Sequence, residues 1–447
     1  MLLKKLINSY WFIGFILYII ISPIFTAVED YLYIAIAFIP FICLGIVLYH
    51  ASKWSNSQFT KTNLFLLSLS VALFIVFCYH QLSLYVDGDQ YLFSKADAVL
   101  YNGYARKLSN TDITKWIAFL SNSRYGIDDW GAFLFMGVVY SIIPSPTFLA
   151  IVYCVIGAFT ALNIFYIGRS IMCRRYAFLG SLAFALSSFT IAFHGVFLKE
   201  TFMIYIIILS FRYFYAYINT KKILYIILAY LAASSIFLFR TPVALIAIMA
   251  FTITFIVKNT NKILLPIILF LALGVLSTTS MYKYSYDRYM YGGDTEAFAE
   301  RKNELAMGGG IVNQITDPIS AFFGPFPSVV KGKNALTLLN SSGLIFRMLL
   351  VLPFIFGVYY TIRYKQLKLY PLAIFFLINA IGVAITVKGL EVRLSVPHLF
   401  AAYLIAFWWI AHYDYRRFYL RLPDKLVNIF IAGIVSMCIL WNLRSFI

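Results

Sequence analysis

The sequence predicts an all-α, polytopic integral membrane protein. Three observations carry that expectation. The chain of 447 residues is 62% hydrophobic, with a mean hydropathy of +0.84, whereas soluble domains average roughly 45–50% apolar residues. Apolar runs of about 17–22 residues recur, each long enough to cross a hydrocarbon core of about 30 Å. Basic residues cluster in the short segments between alternate runs, as topology signals do. Lipid cannot satisfy backbone polar groups, which leaves helices as the economical solution. The runs also lack the alternating polar face of a barrel strand.

The elements follow in order. Lys4 and Lys5 precede an apolar run with no small-residue cleavage site, so it reads as an uncleaved first span over about Tyr10–Ala27. Glu29 and Asp30 mark a turn. Spans over about Tyr31–Tyr49 and Leu64–Leu84 come next. The polar stretch Leu84–Trp130 reads as a long outer loop. Ala132–Ile143, closed by Pro144 and Pro146, is too short to span and suits an interfacial helix. Further spans are expected over about Thr147–Ile167, Ala177–Phe193, Phe202–Ile218, Ile223–Phe239, Val243–Val257 and Ile263–Thr279. A second outer loop, Ser280–Ser342, separates these from spans over about Leu344–Ile362, Tyr370–Val387, Val396–Ala411 and Leu426–Leu443. The total is about thirteen spans in one transmembrane domain.

The interfacial reading of Ala132–Ile143 is decided by charge. It places Arg169/Arg174/Arg175, Lys221/Lys222, Lys258/Lys262, Arg363/Lys365/Lys368 and Arg416/Arg417/Arg421/Lys425 on the cytoplasmic side with the N-terminus. Of 18 acidic residues only Asp414 and Asp424 join them. A crossing helix there would invert every later loop and put these clusters outside. The net charge of +18 would suit nucleic acid in a soluble protein. Here it marks span ends and contact with anionic lipid headgroups instead, and no nucleic-acid partner is expected. The five cysteines lie in or beside apolar runs without metal spacing.

This topology gathers one set of polar residues on the outer face: Asp87, Asp89, Asp97, Asp128, Asp129, His194, Lys199, Glu200, Arg240, Lys388, Glu391 and Arg393. Ionisable groups at short turns near lipid are costly unless they pair or line a wet cavity. Asp87-Gly88-Asp89 reads in two ways. It is a base toward an acceptor hydroxyl or a ligand for a divalent cation, or it is a solvated Asp-Gly turn. Glu200 is a second such carboxylate, or an acid stabilised by a helix N-terminus. A Mg2+ or Mn2+ ion would draw on Asp89 and Glu200. Arg240, Arg393 and Lys199 suit a lipid phosphate, with Glu391 orienting Arg393. Their structural alternatives are snorkelling to headgroups and an internal Glu391–Arg393 ion pair. Tyr282, Tyr284, Tyr286, Tyr289 and Tyr291 suit either an interfacial belt or stacking on sugar rings.

The order of features resembles the GT-C superfamily of polyprenyl-phosphate-dependent glycosyltransferases, bacterial relatives of protein mannosyltransferases and lipid A aminoarabinose transferases in particular. The resemblance covers about Asp87–Tyr217. It runs through the acidic first loop with Asp97-Ala-Val-Leu-Tyr101, Gly157-Ala-Phe-Thr-Ala-Leu, Ile167-Gly-Arg169, Cys173-Arg174-Arg175-Tyr-Ala177 and Phe197-Leu-Lys199-Glu200. It implies a catalytic carboxylate at Asp87 or Asp89, a second at Glu200, and a lipid-phosphate-facing Arg393 before Pro397. It also implies a polyprenyl-linked sugar donor, a glycan or lipid acceptor and inversion at the anomeric carbon. Two extra spans precede the acidic loop here, and the large C-terminal soluble domain of oligosaccharyltransferases is lacking. The alternatives are a repeat-unit polymerase for O-antigen or capsule and, outside catalysis, a lipid-linked-glycan flippase or transporter.

Overall fold

The computed structural model describes residues 28–50, 59–91, 97–122, 126–258, 335–387 and 392–415, with a few isolated positions beyond. The expected spans at about 10–27 and 263–279, most of the last span, residues 280–334 of the second loop and Glu391 lie outside the described residues.

All regular structure among the described residues is helical, as a lipid-embedded chain requires. The helices are α1 (Val28–His50), α2 (Lys61–Asp87), α3 (Asp97–Ser109), α4 (Trp116–Ser121), α5 (Ile127–Ile142), α6 (Pro146–Ile171) and α7 (Arg174–Ala185). They continue with α8 (Ser188–Gly195), α9 (Glu200–Thr220), α10 (Ile223–Ser235), α11 (Thr241–Lys258), α12 (Ala335–Arg363), α13 (Tyr370–Val387) and α14 (Val392–Tyr415). Five of them are long and apolar enough to cross a membrane, or six if the bent pair α7–α8 is one span. The protein is thus a multi-pass helical membrane protein.

α14 is the central helix. It is apolar on every side and almost wholly buried, which a helix enclosed by other helices requires. It packs against α12, α13, α7 and α9, while α6 joins α2, α7 and α9 on one flank. At one end of this bundle the basic connections meet. Ser170 accepts from Asn219 through its hydroxyl and from Lys368 through its carbonyl, and the Arg174 guanidinium bonds the Phe59 carbonyl. The starts of α9, α11 and α14 lie at the opposite end.

Four expectations are corrected. The stretch 84–130 is not a loop throughout, because α2 runs on to Asp87 and α3, α4 and the first turn of α5 fill much of the rest. In α3 the buried residues are Ala98, Tyr101, Asn102, Ala105 and Leu108, the spacing of one helical face. The other face carries the charges that made the segment read as polar. The expected span Ala177–Phe193 is two helices bent by 50°. Serines sit at the break: Ser187 Oγ donates to the Ala183 carbonyl, a backbone partner within α7, and bonds the Tyr403 hydroxyl, and Ser188 Oγ accepts from the Gly343 amide of α12. α5 starts earlier than the expected interfacial helix and is not among the helices fit to span. Residues 335–342 of the expected second loop belong to α12.

Candidate functional site

The site is built from the turn between α8 and α9. Phe197 has a φ of 57°, a left-handed conformation that costs a non-glycine residue roughly 1–2 kcal/mol. Packing holds it there: its ring is fully buried and packs against His80, tilted, and Tyr91, edge-on, at centroid distances of 5.3 and 6.0 Å. His80 Nε2 also bonds the Gly195 carbonyl at 2.9 Å, fastening the end of α8 to α2. Past this turn, Thr201 Oγ1 donates to the Phe193 carbonyl and bonds His194 Nδ1. The reversed chain then points Lys199 and Glu200 into the bundle.

Glu200 is 1% exposed and faces two guanidiniums. Its Oε1 lies 3.6 Å from Arg240 Nη2 and 3.4 Å from Arg393 Nε. Arg240 follows a short 3-10 turn, Ile236–Leu238, with its amide bonded to the Ile236 carbonyl. Arg393 is in the first turn of α14, and its Nη1 also bonds Asp97 Oδ2 at 2.7 Å. Lys199 Nζ lies 2.5 Å from Asp129 Oδ1 and donates to the Asp128 carbonyl at 3.1 Å. The Tyr101 hydroxyl donates to the same Asp129 oxygen at 2.8 Å. Burial first, then the nearby charges of Asp129, Glu200 and Asp97, push the Tyr101 phenol well above its ordinary range, so it stays a donor.

Three carboxylates (Asp97, Asp129, Glu200) therefore interleave with three cations (Lys199, Arg240, Arg393) at one end of a membrane bundle. Buried charges persist only when paired in this way. The candidates Lys199, Glu200, Arg240 and Arg393 come together here. Asp97, Asp129 and Tyr101 are partners to which the sequence assigned no individual role. Their signal was present in the buried face of α3 and in the acidic start of α5.

Asp89 stands apart from this cluster. Its Oδ1 accepts from the Tyr91 amide at 2.9 Å, closing a turn that Gly88 allows with a φ of 72°. Asp87 is the last residue of α2, and its side chain lies outside the described residues. The turn is nevertheless adjacent to the site, since Tyr91 contacts Phe197. Glu200 faces two guanidiniums and Asp89 closes its own turn, and among the described residues no three His, Cys, Asp or Glu side chains stand together.

Comparison with protein-family models, characterised proteins and solved structures gives no match. The chemistry therefore has to be read from the site itself.

Proposed function

We propose that the protein is a membrane glycosyltransferase that moves a sugar from a polyprenyl-phosphate donor to a glycan or lipid acceptor during cell-surface polysaccharide or glycolipid assembly. The observation that carries this reading is the convergence of Arg240 and Arg393, from two separate turns, on buried Glu200. Two guanidiniums held by one carboxylate are pre-aimed at an anion that develops charge, which is what a departing phosphate does. On this reading the fold is GT-C-like with about thirteen spans. The basic end faces the cytoplasm, and the Glu200 cluster opens on the periplasmic face of the bacterial inner membrane.

In the reaction the acceptor oxygen forms a bond to the anomeric carbon while the bond from that carbon to the phosphate oxygen breaks. The acceptor proton passes to a carboxylate of the Asp87–Asp89 turn, and the electron pair leaves on the polyprenyl phosphate beside Arg240 and Arg393. Glu200 orients the two guanidiniums. Lys199, tied to Asp129, holds the turn.

A second reading, a repeat-unit polymerase on polyprenyl-diphosphate-linked oligosaccharides, draws on the same convergence, because there arginines rather than carboxylates carry the chemistry. One experiment separates them. Cells lacking the gene are analysed for surface glycan and lipid-linked precursors together, then complemented with wild type, Arg393→Ala, Glu200→Gln and Asp89→Asn. A glycan missing one sugar, with that sugar's polyprenyl donor accumulating, supports the transferase. A single repeat unit on a normal anchor supports the polymerase. Intact precursors stranded on the cytoplasmic face would point to a flippase. Full complementation by all three variants would sink the site.

A further inference from the structure

The basic end of the bundle carries two cations that the glycosyl-transfer reading does not use. Arg212 lies in α9, eight residues before its last residue, Thr220, so its backbone is about 12 Å inside the helix end. α9 is one of the helices fit to span, and a charge at that depth is costly unless it has a partner. Arg212 Nη1 donates to Asn163 Oδ1 of α6 at 2.7 Å, a neutral acceptor that leaves the charge unbalanced. The guanidinium carbon lies 4.4 Å from the centroid of the Tyr166 ring, also on α6. Lys61 Nζ, from the first residue of α2, lies 4.6 Å from the same centroid. Three helices thus bring two positive charges to one ring. Neither Lys61 nor Arg212 takes part in an ion pair among the described residues.

The ring attracts each cation through its quadrupole, but it carries no charge to set against theirs. Lys61 also stands at the positive end of the α2 dipole, where a cation is disfavoured. Two like charges held together beside lipid require an anion. Asn163 takes one of the five N–H groups of the guanidinium. Arg212 and Tyr166 are only half-buried and Lys61 is exposed, so an anion can reach them from outside the bundle. The residues deeper in the membrane set its class. Phe65, one turn further along α2, meets Phe159, two turns back along α6, with ring centroids 5.1 Å apart. Phe159 is 46% exposed. The seam between α2 and α6 is therefore cationic at its mouth and apolar toward the bilayer centre. A free phosphate has nothing to place on those rings, whereas a lipid has acyl chains.

We propose that Lys61, Tyr166 and Arg212 form a binding site for the phosphate of an anionic membrane lipid, whose acyl chains run over Phe65 and Phe159. The site is independent of the glycosyl-transfer reading, since it uses none of those residues and sits at the other end of the bundle.

The test uses the full-length protein, purified in a nonionic detergent and stripped of co-purified lipid. Phosphatidylglycerol, phosphatidylcholine and inorganic phosphate are titrated separately. Native mass spectrometry counts the adducts, and the unfolding midpoint is followed alongside. Phosphatidylglycerol should bind wild type saturably and raise the midpoint. Phosphatidylcholine, whose choline neutralises its own phosphate, and inorganic phosphate should do neither at the same concentrations. Arg212→Met should weaken phosphatidylglycerol binding by roughly 10-fold or more, as the loss of charge-assisted hydrogen bonds implies. Lys61→Met, at an exposed helix start, should weaken it several-fold with the lipid-free midpoint unchanged, and it decides the matter if Arg212→Met fails to fold. Wild-type affinity in Lys61→Met overturns the site, as does wild-type affinity in a folded Arg212→Met. Equal binding of phosphatidylcholine overturns the recognition of charge, and a midpoint raised by inorganic phosphate alone overturns the lipid as its source.

Discussion

Replacing Gly157 with alanine tests how the bundle positions the site. A Cβ built at Gly157 would lie 2.3 Å from His194 Nε2, 2.7 Å from Cε1 and 3.0 Å from Cδ2. Ordinary contact begins near 3.4 Å, so about 1 Å of movement is required, and such overpacking costs about 1–3 kcal/mol. The imidazole has little room to yield. It is buried and is bonded through Nδ1 to Thr201, the residue after Glu200. The displacement therefore passes to the first turn of α9, where, on the proposed glycosyl-transfer reading, a 1 Å shift of a reacting group costs on the order of 100-fold in rate. The assay is thermal unfolding of the purified protein, followed by intrinsic fluorescence, alongside complementation of the glycan defect. Gly157→Ala should lower the unfolding midpoint and the product. The double variant Gly157→Ala/His194→Ala should recover stability relative to the sum of the singles, by a coupling of roughly 1 kcal/mol or more. A fully stable Gly157→Ala, or strict additivity in the double variant, would refute the contact.

Other consequences follow from the same geometry. Lys199→Met leaves Asp129 buried without its cation and should destabilise by about 3 kcal/mol, whereas adding Asp129→Asn should restore much of that in chemical denaturation. Tyr101→Phe removes a bond to a carboxylate and should cost roughly 1.5–3 kcal/mol by the same measure. Because the Tyr101 phenol is pushed up in the folded state, its contribution is complete below the unfolded tyrosine value of about 10 and is lost as pH rises beyond it. Stability measured from pH 8 to 11 should therefore fall less steeply at the alkaline end in Tyr101→Phe than in wild type; identical slopes would show that the phenol is not shifted. Gly88→Ala meets no atom within 4 Å but sits at a φ of 72°, so it should cost about 1 kcal/mol through backbone strain alone, and an unfolding midpoint equal to wild type would contradict that backbone conformation.

The spanning helices were legible because lipid thickness sets their length. α2, α6 and α9 each match an expected span to within a few residues, whereas α12 ends where expected but begins nine residues earlier. The segment between α2 and α5 was less so, because α3 hides its apolar face behind Asp97, Arg106 and Lys107, and a helix half-covered in charge reads as a loop. The α7–α8 break was missed because Ser187 and Ser188 are small enough to pass within an apolar run. Their effect depends on Tyr403 and Gly343, far off in the chain. Most of the charged members of the site were visible as residues out of place near lipid. Their pairing was not, since Arg393 and Asp97 are 296 positions apart.

The strained turn at Phe197 ties these observations together. A left-handed phenylalanine is retained only where the surroundings outweigh its cost, and here the surroundings are α2 through His80 and the acidic turn through Tyr91. The same residue therefore joins the Asp87–Asp89 turn to Glu200 three residues later. If Phe197 merely ended a helix, glycine would do as well. Phe197→Gly relieves the φ strain but removes the ring that fixes His80 and Tyr91, so the two carboxylate-bearing turns lose their common support. The expected outcome is a protein that still reaches the membrane but has lost most of the proposed transfer activity, with a lower unfolding midpoint. A Phe197→Gly variant with wild-type activity would show that the two turns act independently, and would remove the reason for placing the acceptor base beside the arginine pair.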